Sequence, residues 1–377
     1  MRNRTAPPYV ALGMICLLIP AFLAARQTAG TKPTAAQKPP SAATKTWSTP
    51  KTPWGDPDLQ GTWTSDDTWG VPFERPAQFG DRRYLSEDEL AERETRVKQT
   101  QEGMLSEANT APSPARAQAE AVAAGKELPP QPAGAFGRGV DAAPVPGHWG
   151  EFARRASRQT SQVIDPPNGR IPNLTAEAQQ KLAAKNQLRR GRIESWENWS
   201  HYDRCITRGV AGSTIPVIYG NGLEIVQSPG YVAIRYEMVH DHRIIPLSST
   251  PHAGSNLRSY MGDSVGHWEG NTLVVETINF IGDKLTIGAN GDGGAPYSDA
   301  LRLVERFTRT APNVIDYEVT VNDPKTYTAP WTVAFPITQE PGYQLFEYAC
   351  HEGNHSIANA LSATRAEKAA EEAAKKK

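Results

Sequence analysis

The residues of this chain whose types could do chemistry are its eight histidines and a set of acids set within apolar runs. His201 stands with Asp203 and Arg204 just before Cys205. His240, Asp241 and His242 run consecutively, His252 follows Pro251, His267 precedes Trp268, and His351 and His355 lie near the C-terminus. Imidazole beside carboxylate is the usual pairing for general acid–base work near neutral pH. His351-Glu352-Gly353-Asn354-His355 fits the zinc-protease pattern His-Glu-x-x-His in form. That chemistry needs both histidines one turn apart on a helix, and Gly-Asn makes a poor helix interior and a good connector. The reading therefore calls for no cofactor. The alternative is a non-protease metal ion held by imidazoles such as His351 and His355, converging from loops. Ser213 and Ser264 sit in no Gly-x-Ser-x-Gly elbow. The glycine-rich run 288–294 (GANGDGG) lacks the strand-then-helix context of a phosphate cradle and the spacing of a calcium loop.

The acids matter for where they fall on strands. Over residues 272–280 alternation puts Val274, Glu276, Ile278 and Phe280 on one face and Leu273, Val275, Thr277 and Asn279 on the other. A carboxylate midway along an apolar face is costly unless paired or wet. Glu305 repeats the pattern between Leu303 and Phe307, and Glu237 shares a face with Arg235 and Val239. Several such acids would floor a polar cavity inside a barrel. They would equally suit an outer wall facing water, and strand periodicity leaves both readings open.

The elements that must position these groups begin at about residue 195. From there aromatic and β-branched runs alternate with Gly, Pro and Asn punctuation. Strands are expected over 215–219, 223–227, 231–239, 243–247, 272–280, 301–309, 314–321, 331–337 and 343–349. Asn221-Gly222, Pro229-Gly230, Asp241-His242 and Gly270-Asn271 supply the turns. Eight or more strands in sequence order predict a mainly β fold, an antiparallel up-and-down meander closing into a lipocalin-like barrel. A two-sheet sandwich is the alternative. Leu59, Trp63 and Trp69 anchor an earlier short strand. Ser86-x-x-Glu89 opens a solvated helix running to about Glu102, Thr175 caps a second to about Arg192, and a C-terminal helix covers 357–377.

Lys and Arg total 40 against 41 Asp and Glu, a formal charge of −1 over 377 residues. That balance argues against nucleic acid and against an anionic membrane surface as partners. Arg2 and Arg4 precede a nearly continuous apolar run over 9–24, ending in small residues at Ala24 and Ala25. Such a segment is the signature of a signal peptide over 1–25, shorter than the ~20 residues of a spanning helix and broken at Pro20. No stable membrane span is expected after cleavage, and the mature chain is placed in the periplasm or outside the cell. Cys205 and Cys350 then remain, and in an oxidising compartment two cysteines pair. The competing role for Cys350 is a nucleophile beside His351. Residues 26–50 read as a flexible leader, 51–194 as a wrapping segment with helices and an Ala/Pro/Gly tract over 109–147, 195–361 as the β domain, and 362–377 as a charged helical tail.

Residues 54–63 (WGDPDLQGTW), 203–209 (DRCITRG), 226–247 (VQSPGYVAIRYEMVHDHRIIPL), 262–280 (GDSVGHWEGNTLVVETINF), 303–309 (LVERFTR) and 346–354 (FEYACHEGN) together resemble a family of exported bacterial proteins. The resemblance covers about 54–361 and implies export. It carries no catalytic role to any residue. From the residues themselves, the expected function is binding of a small organic or carbohydrate-type ligand at a barrel mouth. His201, His240, Asp241 and His351 with Glu237, Glu276 and Glu305 would be the acid–base groups, and His252, Arg258, Trp268 and Tyr348 the ligand contacts. The products of that chemistry would be those of a lyase, isomerase or hydrolase. A non-catalytic binding or scaffolding protein and a His-ligated metal enzyme are the alternatives.

Overall fold

The computed structural model describes residues 47–110, 153–190, 192–217, 219–247, 251–282, 285–287, 294–339 and 342–376, without the side chains of 104–110, 188–190 and 240. The expected signal peptide, nearly all of the leader, most of the Ala/Pro/Gly tract and all but the last residue of the 288–294 loop lie outside them.

In chain order the elements are β1 (Gly61–Thr64), α1 (Glu87–Thr110), β2 (Val163–Asp165), α2 (Ala176–Arg190), α3 (Val210–Thr214), β3 (Gly222–Ser228), β4 (Tyr231–Tyr236), β5 (His242–Pro246) and β6 (Asp263–Glu269). They continue with β7 (Thr272–Ile278), β8 (Thr286–Ile287), β9 (Ala295–Pro296), β10 (Arg302–Ala311), β11 (Val314–Asn322), β12 (Trp331–Gln339) and α4 (Ser356–Lys375).

The large sheet runs β5-β4-β3-β1-β12-β11-β10-β7-β6, every neighbouring pair antiparallel. Around the ring this is sequence order, with the first strand closing against the last. β8 and β9 form a separate ribbon. An odd ring of alternating strands must leave one parallel seam, and it lies between β5 and β6. Among the described residues a single parallel bridge, Leu247 to Gly266, spans it, so the sheet is nearly closed into a barrel. Glycine is needed at 266, since a Cβ there would sit 2.9 Å from the Ile245 side chain and 3.0 Å from that of Leu247. Gly266→Val is expected to pry the seam apart at a cost of about 1–3 kcal/mol, read as a lower urea midpoint.

β1 is too short to cover the whole edge of β12. It takes Thr338 and Gln339, while β2 takes Thr332 and Val333. Trp63 pins the junction: its Nε1 donates to the Leu59 carbonyl at 3.0 Å, and Leu59 N–H donates to Gln227 Oε1 at 2.7 Å. The inner face carries Leu223, Ile225, Val232, Ile234, Leu273, Val275, Leu303, Phe307, Tyr317, Val319, Val333 and Phe335, all in one buried cluster. Val210, Ala211 and Ile215 belong to the same cluster, and all five residues of α3 are buried.

Three strand expectations are corrected, and one strand is added. The described residues of 215–219 form no strand, because Ile215 is the C-cap of α3. Residues 343–349 run without a strand partner. β4 stops at Tyr236, where the turn Met238–His240 begins and Val239 takes φ 60. β6 is not among the expected strands, although the turn after it at Gly270-Asn271 is expected, since its inward positions Ser264, Gly266 and Trp268 dilute the apolar alternation.

The capping box of α1 forms as expected. Ser86 N–H donates to Glu89 Oε2 at 2.8 Å, and Glu89 N–H to Ser86 Oγ at 3.3 Å. The Arg82 guanidinium, then these Ser86 bonds, hold the Glu89 carboxyl down at about 2. A lowered carboxylate pKa stabilises above the ordinary value and is lost as pH falls through the shifted one. Protection of the first-turn amides of α1 is therefore expected to persist below pH 4.5 and to fade towards 2, measurable by hydrogen exchange.

Candidate functional site

The acids expected inside the barrel divide between its two faces. Glu305 lies opposite Val275 and Val319 on the inner face and is 0% exposed. It meets Arg243 of β5 in a two-pronged pair, Nη1 to Oε2 2.5 Å and Nη2 to Oε1 2.8 Å, and accepts the Tyr317 hydroxyl at 3.0 Å. Burial works against the Arg243 charge, but the facing carboxylate outweighs it and holds the guanidinium above its ordinary value. Burial and the same carboxylate push the Tyr317 phenol well up. Leu, Val, Ile and aromatic side chains fill the rest of the interior. This carboxyl is closed off from solvent and paired, which suits holding the wall together.

Glu276 faces outward, opposite Val265 and Val304. There it meets His252, which pairs an expected acid–base group with an expected ligand contact. His252 Nδ1 lies 2.8 Å from Asp263 Oδ2 and Nε2 lies 3.3 Å from Glu276 Oε1. Arg302 pairs with Glu276 on the other side. Ala253 N–H donates to Asp263, and Asn279 Nδ2 donates to the Ala253 carbonyl, so the cluster also clamps its loop to β6 and β7. Arg258 donates to the carbonyls of Phe280 and Asp299. Trp268 lies on the inner side of β6, half-buried against the core.

Most other expected residues gather at one end of the barrel, where three of the sequence motifs converge. Cys205 and Cys350 are joined by a disulfide, with Cα atoms 5.6 Å apart. Asp241 Oδ2 accepts from Thr207 Oγ1 at 2.8 Å and from Arg208 N–H at 3.2 Å. Arg208 reaches the carbonyls of Gly220 and Tyr219 and lies over the Tyr202 ring. Tyr202, Tyr219 and Tyr348 link hydroxyl to hydroxyl at 3.2 and 3.4 Å. Burial, then the Tyr202 neighbour, pushes Tyr219 up to about 12, and burial raises Tyr202 and Tyr348 as well. All three stay neutral donors. Glu237 accepts from Tyr343 and from Gly222 N–H. Residues 342–355 thus form a strap across this end, tied by side chains and one covalent bridge. His201 is buried, its Nε2 3.1 Å from the Tyr260 hydroxyl. The side chain of His240 lies outside the described residues. His351 and His355 are exposed and precede α4, which starts at Ser356, so they do not share a helical face. Among the described residues no group of three or more His, Cys, Asp or Glu is gathered as metal ligands.

Sequence reasoning missed a groove on the outer wall. It has a volume of about 490 Å³ and lies between residues 83–84 and 156–159 on one side and β10, β11 and β12 on the other. The register sets two outward rows on its floor, Thr308–Asp316–Pro336 and Arg306–Glu318–Ala334. Its rim is held by Arg93, which donates to the carbonyls of Ser157 and Gln159, and by the Arg158–Glu87 pair. Arg306 stands opposite Glu318 but pairs with Glu269 at 2.9 Å. Asp316 and Glu318 make no ion pair among the described residues. Desolvation against the groove walls pushes the Asp316 carboxyl up, partly opposed by a hydrogen bond with Thr310. Tyr84 is 51% exposed, with the Arg83 guanidinium 5.4 Å from its ring centre. The available signal was the alternation of Asp316 and Glu318 on one strand face. The opposing wall comes from residues more than 150 positions earlier, and no local pattern announces that.

Comparison with protein-family models, curated proteins and solved structures finds no match to this chain.

Proposed function

We propose that this chain is an exported binding protein whose barrel is a closed scaffold and whose small organic ligand seats in the outer groove. The carrying observation is the groove. Its volume of about 490 Å³ falls in the range of small-molecule sites, roughly 300–1,000 Å³. It combines an exposed aromatic ring with carboxylates that make no ion pair among the described residues. The packed interior, with its acid already paired to Arg243, argues against a ligand inside the barrel. Export is supported by the N-terminal charge and hydropathy pattern and by the Cys205–Cys350 disulfide.

A small-molecule library screened by thermal shift is expected to yield ligands whose affinity falls about tenfold or more, 1.4 kcal/mol, in Tyr84→Ala. Val226→Ala, on the outer face of β3, is expected to leave binding unchanged. Hits indifferent to Tyr84, Asp316 and Glu318 would remove the groove from consideration.

The second reading is an acid–base enzyme. One arrangement favours it: an imidazole whose Nδ1 is held by Asp263, as a general base requires. Substrate would have to displace Glu276 from Nε2. Turnover of a bound ligand, abolished in His252→Gln with binding retained, would establish that reading over simple binding.

A further inference from the structure

We infer that the outer groove is built for a neutral polyhydroxylated ring, a pyranose-type sugar. This inference rests on the groove being the binding site.

The charges decide between ligand classes. Arg83, Arg158 and Arg306 line the groove together with Asp316 and Glu318. Arg158 is already paired with Glu87 and Arg306 with Glu269. One guanidinium and two carboxylates therefore remain to meet a ligand. A phosphate or carboxylate would face both acids on the floor, and a simple cation would face Arg83, the lining guanidinium with no carboxylate partner among the described residues. A polyol suffers neither conflict. Each hydroxyl both donates and accepts, so it can donate to the acceptor-only carboxylates and accept from the donor-only guanidinium.

The spacing agrees. Asp316 and Glu318 are two residues apart on β11 and both face outward, about 6.6 Å between backbone positions. That sets two acceptor groups side by side, far enough apart to engage separate hydroxyls of one ring. The exposed part of Tyr84 offers the flat apolar surface against which the C–H face of a sugar packs, while its hydroxyl stays in water. The floor is a β-sheet rather than a loop, so these positions are fixed before the ligand arrives and little ordering is needed on binding.

The test is calorimetric titration of the full mature chain with glucose, cellobiose, glucosamine, glucuronate, benzoate and inorganic phosphate at up to millimolar concentration, at low and high salt. The expected result is binding of a neutral sugar that changes little with salt, as an uncharged ligand should. That binding should weaken tenfold or more in Tyr84→Ala and in the double variant Asp316→Asn with Glu318→Gln, whose folding is checked by an unchanged urea midpoint. If glucosamine, glucuronate, benzoate or phosphate binds in a groove-dependent way and the neutral sugars do not, the sugar assignment is overturned and the groove reading stands. If no probe binds, or binding ignores the groove substitutions, both fall together.

Discussion

Replacing Glu305 with alanine is expected to destabilise the protein by about 3–5 kcal/mol, because it strands the Arg243 charge inside the barrel. Arg243 and Glu305 have 4% and 0% of their side chains exposed, so water cannot take over the missing partner. The Tyr317 hydroxyl would lose its acceptor at the same stroke. The pair itself is a different matter. Bringing two charges out of water costs nearly what their attraction returns, and Nε of Arg243 makes no hydrogen bond among the described residues. The double variant Arg243→Met with Glu305→Leu is therefore expected to recover most or all of the loss, and urea unfolding of the two single variants and the double measures this directly. A single variant within about 0.5 kcal/mol of the parent would mean that the interior is wet, which would reopen the case for a ligand inside the barrel.

The second large effect concerns the bridge between Cys205 and Cys350. The two are 145 residues apart in sequence, and a loop of that length removes about 5 kcal/mol of chain entropy from the unfolded state. Measured values usually fall short of this model, so a loss of about 2–5 kcal/mol is expected for the Cys205→Ala, Cys350→Ala variant. The loss should have a local signature too. The strap 342–355 has no strand partner and is held to the barrel end by Tyr343 on Glu237, Tyr348 on Tyr219 and Asn354 on the Asp203 carbonyl. Without the covalent tie, amide exchange in the strap should rise well before exchange in β3 or β4. Uniform protection across both, together with an unchanged urea midpoint, would show that the side-chain contacts alone suffice.

How much of this was legible beforehand varies with the range of the cause. The hairpin β6–β7 was signalled at Gly270-Asn271, and Gly270 indeed takes φ 61; the hairpin β3–β4 was signalled at Pro229-Gly230, with Gly230 at φ 80. Those are local demands on the backbone, so local sequence carries them. Glu276 and Glu305 show the opposite case. Alternation correctly said that each shares a face with apolar neighbours, but both faces of β7 are rich in valine, leucine and isoleucine. Which face looks inward depends on the neighbouring strands. The same holds for residues 343–349, whose aromatic run resembles a strand yet finds no free edge, because β1 and β2 already occupy that side of β12.

By itself the sequence determined the strand-rich texture, the order in which strands follow one another and the cap of α1. Each follows from side-chain periodicity or turn stereochemistry, and these act over a few residues. Tertiary structure alone decided that the ring closes through a four-residue strand from the N-terminal segment, that Arg243 finds Glu305 across the interior, and that a groove opens between residues 83–84 and the outer wall. These pairings join positions 62 to more than 220 residues apart. They are selected by the burial and closure of the whole barrel, to which no single stretch of chain has access.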